Sequence, residues 1–540
     1  MAVASQISQS SLRRLARRAY ALRLRPGDEL ALAGLAAGTL GFLVFGPYIH
    51  AGGFIYDDWR NSATMHFHGF GGLLHLHLEI APRRPLGSLY FAVVFGVLGS
   101  HEHWQLALAA GLHTVVGLLL FVLLRALDLD RVSAGAAAAL TLLFPYSDST
   151  WLWASAGQLE LCVGCWLLGM IFALLGLRSE IHGWRWHGAA LALYGSSILL
   201  YEETLLVVLL TGALYLLRAP SRVALRRWGA DAVTSALCFL FFSSQLVKLG
   251  GGRDVHVALG VRATLHHMQT IADQGLTVAV GALVPFGSPE RWAITAVVLV
   301  LIAGAGLVVR RTGDAAIRRD LVRWLLVACA GALVAIAGWA MLSAADAYYS
   351  PEQAGVGNRV NLLAGIGLPV LAMGLLGLVS TLTFAAVPHE RRWAGALLTL
   401  LITAVLAAAY LNRVETDRGV WVQARRTQSF VLARLRQAIP PPPAGSTVIA
   451  RGFGLYSAPG VPVFAASWDL DGAVELLWQD PSLRAWPTPP GGLTCGGAGM
   501  SVAGINVNPP ASYGHTFLVD VRTRTASRID SARQCRSLGT

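Results

Sequence analysis

The sequence predicts an all-α polytopic membrane protein of about eleven transmembrane helices, with a small C-terminal α/β domain outside the membrane. Three observations predict it: apolar runs about as long as a bilayer is thick, arginine clusters between those runs, and a proline-rich polar tail in which the runs stop.

The chain has 540 residues, of which 55% are hydrophobic and 13% charged, where a soluble domain carries about 25% charged residues. The net charge of +12 does not point to nucleic acid, because the arginines fall in short clusters between apolar runs, which is where cytoplasmic loops carry them. Residues 1–29 hold Arg13, Arg14, Arg17, Arg18, Arg23 and Arg25 with no small-residue cleavage site, and a full-length apolar run follows. This is the pattern of an uncleaved cytoplasmic N-terminus rather than a signal peptide.

A crossing needs about 20 apolar residues, so the clear spans are 30–49, 104–124, 159–177, 228–247, 292–309, 321–342, 361–387 and 394–411. The basic segments 125–131, 178–187, 218–227, 310–323 and 388–393 belong with the N-terminus on the cytoplasmic side. Each pair of basic segments is then separated by an even number of crossings. That rule divides the apolar stretch 188–217 into two short helices with Tyr201, Glu202 and Glu203 at the outer tip, since one helix would strand an arginine cluster outside. It also makes 132–146 a crossing. Conversely, 86–99 and 271–286 are short and would break the rule, so both are expected to be interfacial or re-entrant. The transmembrane domain is therefore 30–411, with a first outer loop at 50–103 and further outer loops at 248–291 and 343–360.

From residue 412 the apolar runs end and Pro440 to Pro443, Pro487, Pro489, Pro490, Pro509 and Pro510 appear. Residues 412–540 are expected to be a soluble extracytoplasmic domain, with helical spacing over 417–439 and strand-like runs at 447–450 and 516–521. Of the six cysteines, Cys162, Cys165, Cys238 and Cys329 lie in apolar runs, where thiols pack as small hydrophobes. Cys495 and Cys535 lie in the polar tail and are the candidate disulfide.

The first outer loop reads GGFIYDDWRNSATMHFHG, which sets Asp57 and Asp58 side by side at the membrane exit, between Tyr56 and Trp59. Carboxylates there are candidates for general base work or for holding a metal ion. The same loop is rich in histidine: His66 and His68, His75 and His77, then His101 and His103. Alternate spacing puts two rings on one side only in a strand, and this loop reads as helical or irregular, so substrate contact or interfacial placement is favoured over zinc. Asp148, in FPYSDSTW, falls on the same outer side and is a candidate for the same cavity.

The order and sidedness of these motifs resemble the GT-C glycosyltransferases, which use polyprenyl-phosphate sugars. The resemblance runs through the outward Asp pair after the first helix, Arg83, Arg84, Pro85 and Leu86 before an aliphatic run, Pro145 and Trp151, the Tyr201 and Glu202 step, and a late loop with Tyr349, Pro351, Asn358 and Arg359. It implies direct displacement at the anomeric carbon of a polyprenyl-phosphate-linked sugar by an acceptor hydroxyl of a glycan, lipid or protein. It implies Asp57 as the base that takes the acceptor proton, with Asp58 as helper or as partner in a bound divalent metal. Arg84, Arg359 and then Arg83 are the implied grips on the departing lipid phosphate, since guanidinium forks match phosphate oxygens. Tyr56, Trp59, Asp148, Glu202, His66 and His68 complete the expected substrate cavity. No other cofactor is implied, and the location implied is the bacterial inner (plasma) membrane, with a periplasmic active site. A transporter, or a flippase or ligase for lipid-linked glycans, is the competing reading, because broken helices and membrane glutamates fit those as well. Against a transporter stands the lack of an internal repeat.

Overall fold

The computed structural model describes residues 25–179, 181–248, 261–285, 304, 315–344, 349–384, 393–497, 499–505 and 510–539. Most of the basic N-terminus, of the expected span 292–309 and of the basic segment 388–393 lies outside the described residues.

Among the described residues, six helices are long and apolar enough to cross a bilayer: Pro26–Ala51, Glu102–Ala126, Ala154–Arg178, Ala315–Met341, Ala364–Thr383 and Gly395–Ala438. Phe42, Leu43, Leu237, Ile336 and Leu401 stay exposed along their own helices, as side chains that face lipid do. The chain is a multi-pass membrane protein.

Helix α1 (Pro26–Ala51) is followed by the outer-loop helices α2 (Asp57–Ile80) and α3 (Pro85–Leu98), then by α4 (Glu102–Ala126), α5 (Arg131–Leu142) and a single turn α6 (Ser149–Leu152). Next come α7 (Gly157–Arg178), α8 (Gly183–Leu200), α9 (Leu205–Arg218), α10 (Ser221–Lys248), α11 (Val261–Leu283), α12 (Ala315–Met341), α13 (Ala364–Phe384) and α14 (Trp393–Ala438).

The ends of these helices sort by charge. Glu29, at the start of α1, accepts from Arg125 at 2.5 Å and from Arg131 at 2.8 Å. Nearby, Asp128 pairs with Arg218 at 2.5 Å, and the carbonyls of Asp128 and Ala126 accept from Arg323 and Arg178. Four arginine-bearing segments therefore meet at one end of the bundle. Glu102 with Arg425, the Asp57 and Asp58 pair and the Glu202 turn lie at the other end. Among the described residues, the helices that carry these contacts run between the two ends.

The 188–217 stretch breaks where the carboxylates interrupt it: α8 stops at Leu200, a 3-10 turn covers Glu202–Thr204, and α9 resumes at Leu205. The short helix expected at 86–99 is α3, 14 residues long. Helix α11 differs from expectation, beginning at Val261 rather than at 271. His267 Nε2 lies 3.1 Å from the Leu342 carbonyl, the Tyr410 hydroxyl donates to the Ala282 carbonyl at 2.6 Å, and Gly281 abuts the Tyr146 hydroxyl.

A second difference lies at 412, where the chain was expected to leave one helix and begin another. Helix α14 runs unbroken for 46 residues. No Gly or Pro stands between Leu411 and Arg418, and Arg413 with Asp417 at 2.8 Å forms an i, i+4 pair that supports a helix leaving the apolar phase.

Helix α14 delivers the chain to the C-terminal domain. Its main sheet has the order β4-β1-β7-β8, built from β1 (Thr447–Arg451), β4 (Arg484–Pro487), β7 (Thr516–Asp520) and β8 (Thr525–Ile529). The first three strands are parallel and β8 is antiparallel to β7. Small two-stranded ribbons pair β2 (Tyr456–Ala458) with β3 (Val461–Pro462) and β5 (Leu493–Cys495) with β6 (Met500–Val502). Cys495 and Cys535 are disulfide-bonded, their Cα atoms 5.9 Å apart, which ties β5 to the terminal helix α16 (Ala532–Gly539).

Helix α15 (Ser467–Trp478) leaves this domain and packs on α2. The approach is close: a Cβ on Gly472 would lie within 2.8 Å of backbone atoms of Trp59 and Arg60. Only glycine fits there without parting the two helices.

Candidate active site

The backbone turns sharply at Tyr56, a non-glycine residue with φ +56° and ψ −114°. Such a conformation costs about 1–3 kcal/mol and persists where the surroundings impose it. Here Tyr56 is gripped edge-on by Trp153 at 6.0 Å and by Trp468 at 5.2 Å. The turn starts α2 with the two carboxylates in its first turn, where the helix dipole favours negative charge.

Asp57 and Asp58 are held in different ways. Asp58 is fully buried. Its Oδ2 accepts from the Ile55 backbone at 2.9 Å, and its Oδ1 accepts from the Ser155 backbone at 2.8 Å and from the Ser155 hydroxyl. Burial raises its pKa to about 7 against these three donors, and the neighbouring Asp57 adds to the rise. Asp57 is half-buried. Its Oδ1 accepts from the Trp468 indole Nε1 at 2.8 Å, and its Oδ2 has no hydrogen-bond partner among the described residues. Burial raises the Asp57 pKa, while the Trp468 N–H, Arg359 and Arg60 pull it down.

Asp57 lines a cavity of about 200 Å³ together with His77, Arg83, Arg84, Tyr201 and Arg359. The three arginines come from distant segments. Arg84, at the N-cap of α3, makes a bidentate pair with Glu202: its Nε and Nη2 each lie 2.6 Å from a carboxylate oxygen. The same guanidinium lies 3.9 Å over the Tyr201 ring. Arg83 Nε is 3.6 Å from Glu202. Arg359 comes from the 3-10 segment Val356–Asn361 and stands over Trp153 at 5.5 Å and Tyr349 at 5.7 Å. A buried arginine held on an aromatic face and a carboxylate keeps its fork preorganised.

Solved structures similar to this chain include the following two. ArnT from Cupriavidus metallidurans bound to undecaprenyl phosphate has 12% sequence identity, with 86% of each chain covered and a TM-score of 0.42. The apo oligosaccharyltransferase of Archaeoglobus fulgidus has 13% identity, with 85% of this chain and 64% of that chain covered and a TM-score of 0.38. No family model matches the sequence, and no curated protein matches it.

The structure brings Asp57, Arg83, Arg84 and Arg359 to one cavity, with Asp58 directly behind. Glu202 stands behind the arginines as their carboxylate partner. Other expected cavity residues lie elsewhere. Asp148 is buried, with the Asn358 side chain donating to it at 2.7 Å, and it ties the segment before α6 to the late loop. His66 is exposed and contacts Gln479 of the C-terminal domain at 2.8 Å; His68 is exposed on the same helix. Both precede the kink at Gly69, and neither lines the cavity. Trp59 is buried against Phe54 and Phe464. Tyr56 lines a neighbouring, larger cavity of about 630 Å³, shared with Glu352, Arg413 and Tyr456.

Contributors that were not among the expected site residues include Trp468, Ser155, Asn61 and His77. Asn61 lies four positions after Asp57 on the same helix, but nothing in the spacing of Trp468, Ser155 or His77 ties them to it. Trp468 and Ser155 are brought in by long-range packing, and His77 by the fold-back of α2.

The residues present do not fit a shared divalent metal. Among the described residues no three His, Cys, Asp or Glu side chains converge. Both Asp58 oxygens are taken by N–H and O–H donors, and the cavity in front of Asp57 is lined by cations, which attract an anion and repel a metal ion.

Proposed function

We propose that the chain is a GT-C-type glycosyltransferase that moves a sugar from a polyprenyl-phosphate-linked donor to an acceptor hydroxyl on the outer face of the membrane. One observation carries this reading: a carboxylate oxygen without a partner among the described residues faces a small cavity whose other walls hold three buried or half-buried arginines. A base beside a phosphate-sized concentration of positive charge is what displacement of a phosphate leaving group needs.

Asp57 Oδ2 takes the proton of the acceptor hydroxyl as its oxygen bonds to the anomeric carbon. The bond from that carbon to the phosphate oxygen breaks, and the lipid phosphate leaves with the electron pair. Arg84 and Arg359, with Arg83 beside them, stabilise the charge that develops on it. Trp468 and Arg359 hold Asp57 as the carboxylate, and Asp58, locked by Ser155 and Ile55, fixes the start of α2 so that Asp57 keeps its aim. The arginine-rich end of the bundle is then cytoplasmic and the catalytic end, with the C-terminal domain, extracytoplasmic.

The test is transfer by the purified protein in lipid vesicles from a panel of polyprenyl-phosphate sugars, together with binding of polyprenyl phosphate alone. Sugar transfer, with saturable binding of the lipid phosphate, supports the reading. A folded protein that does neither overturns it.

A further inference from the structure

Asn61 and His77 stand 16 positions apart on one helix, yet the Asn61 Oδ1 and His77 Nε2 atoms are 2.8 Å apart. A straight helix would separate them by about 24 Å. The kink at Gly69, with φ +67° and ψ −169°, folds α2 back on itself and returns His77 to the site. That backbone conformation is essentially reserved for glycine.

The hydrogen-bond chain that results fixes the state of the imidazole. The Ser155 hydroxyl donates to Asp58, so at Ser155 it must accept from the Asn61 amide, whose Nδ2 lies 3.1 Å away. Asn61 then offers only its carbonyl oxygen to His77, which must donate from Nε2. The Nδ1 nitrogen is left with its lone pair. It has no hydrogen-bond partner among the described residues, and the ring lines the 200 Å³ cavity beside Asp57. Stacking on Phe91, at 4.2 Å between centroids and 17° between planes, keeps the ring from turning. Burial, aided by Arg60, lowers the His77 pKa to about 4, so the ring stays an acceptor at neutral pH. A second polar group waits in the same wall: Gln158 Oε1 is buried without a partner among the described residues.

We infer that His77 and Gln158 form a hydroxyl-binding subsite that reads the sugar of the donor, His77 Nδ1 accepting from one hydroxyl and Gln158 Oε1 from another. The cavity is smaller than the roughly 300 Å³ at which drug-sized pockets begin, so the group it takes is a single monosaccharide unit. The subsite presupposes the sugar-donor reading given above.

Two substitutions separate sugar recognition from scaffolding. His77→Phe keeps the ring stack and removes both nitrogens; Gln158→Leu removes the amide at nearly constant volume. The probes are polyprenyl phosphate, which has no sugar, and the same lipid carrying the sugar that the wild type transfers. Each variant is expected to bind polyprenyl phosphate as the wild type does and to bind the sugar-bearing lipid about tenfold more weakly. That is the loss of one hydrogen bond of about 1.4 kcal/mol. His77→Gln, which keeps an acceptor, is expected to recover part of the loss. Equal weakening for both probes, or none for either, overturns the subsite while leaving the glycosyltransferase reading in place. A wild-type protein that binds neither probe overturns both.

Discussion

The indole Nε1 of Trp468 donates to Asp57 Oδ1 at 2.8 Å, a contact between residues 411 positions apart. The C-terminal domain thus reaches the carboxylate at the mouth of the first helix and completes its environment. Burial pushes the Asp57 pKa up, and this donor opposes the rise. Trp468→Phe keeps the ring and removes the N–H, so the Asp57 pKa climbs further. Because the proposed base works in its ionised form, the rising limb of the kcat/KM profile is expected to move to higher pH by about one unit, the value of a hydrogen bond of about 1.5 kcal/mol to a charged group. An unmoved limb contradicts the contact's role.

Asp58 has a different dependence on pH. Burial raises its pKa to about 7 in the folded chain, above the ~3.9 of an unfolded aspartate. Between those values the folded state binds more protons than the unfolded state, so the stability Asp58 contributes falls as pH rises from about 4 to about 7. Asp58→Asn removes that dependence. It also leaves at least one of three buried donors without an acceptor, at about 1–3 kcal/mol. The melting temperature of the variant is expected to lie below that of the wild type, with the gap narrowing from pH 4 to pH 7. A gap that stays constant across the range contradicts this.

Arg84 is held by two 2.6 Å contacts to Glu202 and by the Tyr201 face. Lysine keeps the charge and loses the fork and the stack. Arg84→Lys is expected to raise the KM for the lipid-phosphate donor about tenfold or more, with the KM for acceptor little changed. Steady-state kinetics with each substrate varied in turn checks this, and an acceptor-specific defect would contradict it.

Gly69 is the hinge of α2. A Cβ there would meet nothing within 4 Å, so any cost of Gly69→Ala comes from the backbone. It is expected to be about 1–3 kcal/mol, read as a lowered melting temperature and accompanied by weakened donor binding as His77 leaves the cavity. An unchanged melting temperature would show that alanine accepts this conformation or that the helix does not fold back.

Much of this was legible in the sequence because the bilayer imposes simple rules. Apolar run length placed α1, α4, α7 and α12, and the arginine clusters at 178–187 and 218–227 required the break at Tyr201 that the structure shows between α8 and α9. Asp57 could be singled out by its place at the membrane exit, and Arg83, Arg84 and Arg359 by the resemblance to the GT-C glycosyltransferases. Beyond these local signals the sequence was mute. His77 looked like a member of one of three His-x-His pairs in or beside the outer loop until the turn at Gly69 returned it to Asn61. Trp468 sits in a tail segment whose partner is set by the docking of α15 on α2, a contact that no periodicity encodes. Asp148, outward by the same rule as Asp57, is enclosed because Asn358 covers it.

The most direct measurement is sugar transfer from a polyprenyl-phosphate donor by Asp57→Asn, beside the wild type, in vesicles. The asparagine keeps the Trp468 contact and removes the base, so kcat is expected to fall by about 10²–10⁴ while binding of polyprenyl phosphate is retained. Turnover equal to that of the wild type would contradict Asp57 as the group that takes the acceptor proton.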